Sequence, residues 1–182
     1  MVPSTTDQGL PPGYPEHLAG SFELRDGRTV WIRPILPSDA SEIAEAIGTA
    51  DRETLLHRFF TAAPHLTNQQ IHYLAEVDYK RRLALIARSE DGRGVAIARY
   101  ECHPQSSTAE VAVVVAPEWR SQGLATELLR RLEEPALENG FDFLDAVYLP
   151  DNHAVARVFQ NLAYSPARIE EGIATVSKKL AA

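Results

Sequence analysis

The chain has 182 residues, 45% of them hydrophobic and 24% charged, which suits one domain with a sizeable core. Its 18 Lys plus Arg against 25 Asp plus Glu leave a formal charge of −7, which argues against nucleic acid as the main partner. No apolar run is long enough to span a membrane, the N-terminus lacks the basic and apolar regions of a signal peptide, and the lone Cys102 excludes an internal disulfide or a multi-cysteine metal site, so a cytoplasmic protein without membrane or metal is expected.

Residues 1–20, with Pro3, Pro11, Pro12, Pro15 and three glycines, read as a flexible tail whose end Tyr14 and Leu18 can pin; residues 21–182 read as one domain. Phe22 to Leu24 and Thr29 to Pro34 flank Asp26-Gly27 and predict a first hairpin. Pro37 with Ser38 or Asp39 as cap predicts a helix to about Ile47, with Ile43, Ala46 and Ile47 inward. Asp51 to Phe60 and Thr67 to Val77 predict two more helical pieces, parted by Pro64. Lys80-Arg81-Arg82 reads as a solvated loop, after which Arg81 to Ser89 and Val95 to Cys102 predict antiparallel strands about the turn at 91–94. A polar loop, His103 to Thr108, leads on.

Val111 to Val115 is β-branched and uncharged, which fits a strand buried on both faces and ended by Pro117. Leu124, Leu128, Leu129 and Leu132 then recur at helical spacing, so a helix is expected from near Ser121, with Gly123 in its first turn and a kink or early end at Pro135 before Gly140. Free N–H groups and the dipole at such a helix start can hold a phosphate; Gly123 would let the ligand approach and Arg120 add charge-assisted hydrogen bonds. An ordinary strand-turn-helix whose glycine only relieves sterics is the alternative from spacing alone. Phe143 to Leu149 predicts a further strand, and Asp151 or Asn152 caps a helix carrying Val155, Val158, Phe159 and Leu162. Tyr164 to Ile169 and Gly172 to Leu180 predict a closing hairpin.

The junction resembles the acyl-CoA signature of the GNAT superfamily of N-acetyltransferases, Arg/Gln-x-x-Gly-x-Gly/Ala, met by Arg120, Gly123 and Ala125. The order of elements over Phe22 to Leu180 is similar to that fold, which implies an α/β (α+β) domain with a central mixed, mostly antiparallel sheet flanked by helices. Leu24 to Pro34, Arg58-Phe59-Phe60, and Val77-Asp78-Tyr79 running into Leu83 to Ala87 resemble the Pat-type bacterial protein lysine acetyltransferases. That branch often carries a fused regulatory or acyl-CoA-synthetase-like domain; no such segment occurs in these residues, which leaves regulation and substrate choice open.

The resemblance implies acetyl-CoA as acyl donor, held by Val113, Val114, Val115, by the run Arg120, Ser121, Gln122, Gly123, Leu124, Ala125 and Thr126, and by Asn152 and Phe159. A backbone N–H of Val113 or Val115 would polarise the thioester. Asn152, Phe159, Ala163 and Tyr164 follow the family's Asn-x₆-Tyr-x₃-Gly-Phe with changes. Phenylalanine at 159 cannot protonate the departing thiolate, so solvent or another hydroxyl does so, or the thiolate leaves unaided.

A lysine is almost wholly protonated at neutral pH, so a base or water chain must take its proton. Glu110, at the entrance of the central strand, reads from position alone as an edge carboxylate; the family match makes it the general base, a role that partial burial would suit. Glu101 is a rival that faces the same cleft or solvent according to register. Glu118 sits in the turn near the expected phosphates and would repel them. His57, His65, His72, His103 and His153 are scattered without ligand spacing, His17 lies in the tail, and His103 and His153 flank the expected cleft. Cys102 reads as apolar filler. The expected activity is direct transfer of acetyl to a lysine of a protein such as an acyl-CoA synthetase, by a monomer or dimer. A small amine or amino acid as acceptor, or a catalytically silent acyl-CoA-binding regulator, are the alternatives.

Overall fold

The computed structural model describes residues 9–61 and 64–181, so the first eight residues of the expected tail lie outside the described residues. Tyr14 is anchored: its hydroxyl donates to the Pro34 carbonyl at 3.0 Å and its ring meets Tyr79 edge-on at 5.4 Å. The hairpin forms as β1 (Gly20–Glu23) and β2 (Thr29–Pro34). Three short helices follow, α1 (Ala40–Thr49), α2 (Arg52–Phe59) and α3 (Asn68–Ala75). Asp51 caps α2 by accepting from the Thr54 N–H at 2.9 Å, and Thr67 with Gln70 forms a capping box on α3.

Two expectations for α1 fail. Asp39 makes no side-chain cap, because its buried carboxylate accepts from the Leu36 N–H at 2.8 Å and binds Arg33 and Arg88 instead. The inward stripe runs through Ala40, Ile43 and Ile47, and Ala46 falls outside it and is exposed.

The remaining elements are β3 (Arg82–Arg88), β4 (Gly94–Cys102), β5 (Thr108–Val115), α4 (Leu124–Glu138), β6 (Phe143–Tyr148), α5 (His153–Asn161), β7 (Arg168–Glu170) and β8 (Ile173–Lys179). The strands form one sheet in the order β1-β2-β3-β4-β5-β6-β8-β7, antiparallel throughout except for the parallel pair β5–β6. Leu124, Leu128, Leu129 and Leu132 of α4 are at most 1% exposed and pack on the sheet face that carries Leu83, Leu85, Ala98, Tyr100 and Val111. Each such leucine contributes about 1.5–3 kcal/mol on burial, so this stripe fixes α4 against β4 and β5. The helix does not end early at Pro135. It continues to Glu138 because Pro135 and Ala136 are both buried, while the proline forfeits a single N–H. Among the described residues no helix is long and apolar enough to cross a membrane.

Candidate active site

The sheet opens along β5. On one side β5 pairs with β4 from Ala109↔Cys102 to Val115↔Ala96; on the other it pairs with β6 only from Thr108↔Phe143 to Glu110↔Asp145. Beyond Glu110 the two parallel strands part, and a cleft of about 460 Å³ fills the gap. Ala112 to Val115 are therefore half-buried, which corrects the expectation of a strand covered on both faces. The Ala116 N–H bonds the Val95 carbonyl at 2.9 Å. Backbone direction alternates along a strand, so the N–H groups of Val114 and Ala112 also point to β4, and those of Val113 and Val115 point into the gap. Neither of these N–H groups has a partner among the described residues.

At the far end of the cleft the chain turns into α4. Ser121 and Gly123 take left-handed backbone angles, φ +61° and +88°, so the helix begins at Leu124 and Gly123 is its cap, not part of its first turn. The glycine answers this φ; a Cβ would meet only Arg25 Nε at 3.7 Å and Phe22 Cζ at 4.0 Å, which are ordinary contacts. Such a turn aims successive N–H groups at one point and joins the positive end of a 15-residue helix. Ser121, Gly123, Leu124, Ala125 and Thr126 line the cleft; Gln122 does not, because its turn faces the β1–β2 hairpin, where its carbonyl accepts from the Arg25 N–H at 3.4 Å. Arg120 lines the cleft too but is tied down: Nε donates to the Val115 carbonyl at 3.1 Å and Nη2 to Thr54 Oγ1 at 2.6 Å. It braces the end of β5 against α2.

Near the point where the strands part, Glu110 and Glu101 stand directly opposite each other on β5 and β4, hence on one face with side chains about 5 Å apart at Cβ. Glu101 therefore shares the face of Glu110, although it does not line the cleft. Its carboxylate is already engaged, accepting from the Tyr73 hydroxyl and lying 3.8 Å from Arg82. Glu110 is exposed, contrary to the partial burial expected, because β6 turns away just beyond it. It has no hydrogen-bond or ion-pair partner among the described residues. Arg58 and Arg99 supply the nearby positive charge. Burial pushes the Arg58 pKa down, opposed by Glu110 and Glu101. Burial and the neighbouring charge of Arg58 push Arg99 down to about 10, so it remains protonated at neutral pH. Arg99 donates to the Leu74 carbonyl at 2.7 Å, whereas Arg58 lines the cleft without an ion-pair partner among the described residues.

The other wall is β6 and α5. Asn152 lines the cleft, but its Oδ1 caps α5 by accepting from the Val155 N–H at 3.1 Å. Phe159 is 3% exposed between Tyr148, stacked at 5.8 Å, and Tyr164 at 4.8 Å. His103 and His153 do not reach the cleft. His57 does, and its Nε2 lies 3.6 Å from Asp151 on the opposite wall. Glu118 points away, 3.3 Å from Arg93. Cys102 is buried on the sheet face opposite Glu110, with Sγ donating to the Ser106 carbonyl at 3.1 Å. No group of three metal-ligating side chains occurs among the described residues. Sequence reasoning missed Arg25, His57, Tyr148 and Arg157, all of which line the cleft. Only Arg25 had a local signal, its place beside the Asp26-Gly27 turn.

Residues 47–164 match the family model for Acetyltransferase (GNAT) family. The chain belongs to this family. Acetyltransferase PA5475 of Pseudomonas aeruginosa is 29% identical over 161 residues, 87% of either chain. Acetyltransferase Pat of Mycolicibacterium smegmatis is 28% identical over 153 residues, 83% of this chain and 46% of that protein, so the chain spans less than half of this relative. The GNAT domain of S. lividans PAT matches with a TM-score of 0.84 at 28% identity, covering 92% of this chain and 99% of that one, in keeping with the Pat-type resemblance. The structure of yncA from Salmonella typhimurium with its cofactor acetyl-CoA shares the fold, with a TM-score of 0.67 at 20% identity over 84% of this chain and 95% of that one. Acetyl-CoA is the acyl donor of the family.

Proposed function

We propose that this acetyltransferase moves acetyl directly from acetyl-CoA to the side-chain amine of a protein lysine, with Glu110 as general base. The observation that carries the reading is the coincidence, on one short stretch of β5, of an unpartnered carboxylate at Glu110 and an outward N–H at Val113. The pantetheine arm would lie along Val113 to Val115 as an added strand, with its pyrophosphate on the N–H groups from Ser121 to Ala125. Val113 N–H would then donate to the thioester oxygen and stabilise the oxyanion as it forms. Glu110 takes the ammonium proton, directly or through water, and the freed nitrogen attacks the carbonyl carbon. Cys102 faces the other side of the sheet, which supports direct transfer over an acyl-enzyme.

Arg58 favours a second acceptor class. An unpaired guanidinium in the cleft matches a substrate carboxylate, as a small amino acid would bring. Calorimetric titration with acetyl-CoA, then incubation of the complex with candidate acceptor proteins, an acyl-CoA synthetase among them, and with small amines, tests both. An acetyl mass shift on a protein lysine supports the main reading. A shift on small amines alone transfers the assignment to the second, binding without any transfer leaves the silent regulator, and no binding would undo the reading of the Arg120 to Thr126 turn.

A further inference from the structure

The chain contains six tyrosines, and the hydroxyls of four have fixed protein partners. Tyr14 donates to the Pro34 carbonyl, Tyr73 to Glu101, Tyr79 to the Ile35 carbonyl and Tyr100 to the Lys80 carbonyl. Tyr148 and Tyr164 have no hydrogen-bond partner for theirs among the described residues. Tyr164 lies outside the cleft, whereas Tyr148 lines it. The Tyr148 ring is 6% exposed and is held parallel to Phe159, at 5.8 Å and 27°. The ring is buried but its hydroxyl is not sealed in the core, and the opening that Tyr148 lines is the cleft, where the O–H is free to meet an acceptor.

Its place in the sheet says what that acceptor would be. The parallel register Glu110↔Asp145, carried forward, sets Val113 against Tyr148. The strands have parted by then, so the two residues face each other across the gap. A thioester whose oxygen is held by the Val113 N–H has its sulfur in that same gap.

We infer, on the reading of the cleft given above, that Tyr148 is the residue that serves the departing sulfur, in place of a hydroxyl at Phe159. As the nitrogen–carbon bond forms and the carbon–sulfur bond breaks, the electron pair stays on sulfur. The Tyr148 O–H donates its hydrogen bond and then its proton to that thiolate, and the phenolate recovers a proton from solvent through the open cleft. Phe159 is the platform that orients the ring.

Binding of CoA and of desulfo-CoA, which lacks only the sulfur, tests this without any acceptor. The measurement is calorimetry at pH 9, where a thiol is largely ionised. Tyr148→Phe should weaken CoA about tenfold and leave desulfo-CoA unchanged, while Tyr164→Phe should alter neither. Equal effects on both ligands, no effect on CoA, or a wild-type protein that binds the two alike would each overturn the assignment. Failure to bind either ligand would overturn the cofactor reading with it. Because no amine is present, a wrong choice of acceptor leaves this test intact.

Discussion

Two groups of arginines and carboxylates lie on the sheet face covered by α1 to α3, and they are partnered very differently. In the first, Arg33 and Arg88 grip Asp39 at 2.7 and 2.8 Å, Arg88 also reaches Glu42 at 2.5 Å, and Glu42 accepts from the Gly94 N–H at 2.6 Å. In the second, Glu101 is shared between Tyr73 and Arg82, Arg99 reaches only a carbonyl, and neither Glu110 nor Arg58, which lies over the Phe59 ring, has a hydrogen-bond or ion-pair partner among the described residues. Burying charge costs less when opposite charges meet at hydrogen-bond distance. The first group is therefore a clamp between α1 and the β2–β3 strands. The second leaves charge unspent at the place where the sheet opens, which is where a reaction needs it.

The widest separation between the two groups should come from Glu110→Gln. Turnover should fall about 10²- to 10⁴-fold, the usual worth of a general base, while acetyl-CoA affinity measured by calorimetry changes less than about twofold. Parallel loss of both would remove Glu110 from the role. Asp39→Asn should do the reverse. It leaves the Arg33 guanidinium without a carboxylate and Arg88 with Glu42 alone, and should cost about 3–5 kcal/mol in denaturant unfolding, with cofactor affinity per folded molecule kept. Asp39 also sets an acid limit. Burial raises its pKa, but the Arg33 pair, the Leu36 N–H and the Arg88 charge outweigh that and hold it below the ordinary carboxylate value. A carboxylate with a depressed folded pKa stabilises above its unfolded value of about 3.9 and loses that contribution as pH falls through the folded pKa. Wild-type stability should accordingly drop on acidification below about pH 4, and Asp39→Asn should flatten that drop.

The same contrast explains what the sequence made legible. The hairpin at Asp26-Gly27, the leucine stripe of α4 and the Asn152 cap are local patterns, and each lies where its spacing indicated. The clamp was invisible because Arg88 joins it from 49 residues beyond Asp39, and Asp39 beside Pro37 carries the local signature of a cap. The parting of β5 from β6 was equally invisible, since no residue type announces where parallel pairing stops; Val111 to Val115 look like a fully covered strand for that reason. Gln122 was placed on the phosphate side because it stands within the motif, but a turn with two left-handed residues alternates which way it faces.

That turn gives the next test. Gly123→Ala adds a Cβ with room around it, so the protein should fold, losing about 1–2 kcal/mol for a non-glycine residue at φ +88°. Acetyl-CoA should bind several-fold more weakly as the turn relaxes and its N–H groups diverge. Unchanged affinity would mean that the N–H groups beyond Gly123 are not what holds the ligand.

The smallest effect on stability should come from Arg58→Met, and it divides the two acceptor classes. The guanidinium is drawn from water without an ion-pair partner, so a methionine of similar length should leave stability within about 0.5 kcal/mol of wild type, or raise it. Arg88→Met, at a clamp arginine with comparable surroundings, should instead cost a few kcal/mol, on the order of a broken buried pair. If the acceptor is an amino acid whose carboxylate meets Arg58, the variant should raise KM for it at least tenfold with kcat little changed. If the acceptor is a protein lysine, KM should scarcely move, because the lysine side chain brings an amine and no carboxylate into the cleft. A large loss of stability in Arg58→Met would show instead that Glu110 and Arg58 already neutralise each other in the folded protein, and the two groups would then differ in strength but not in kind.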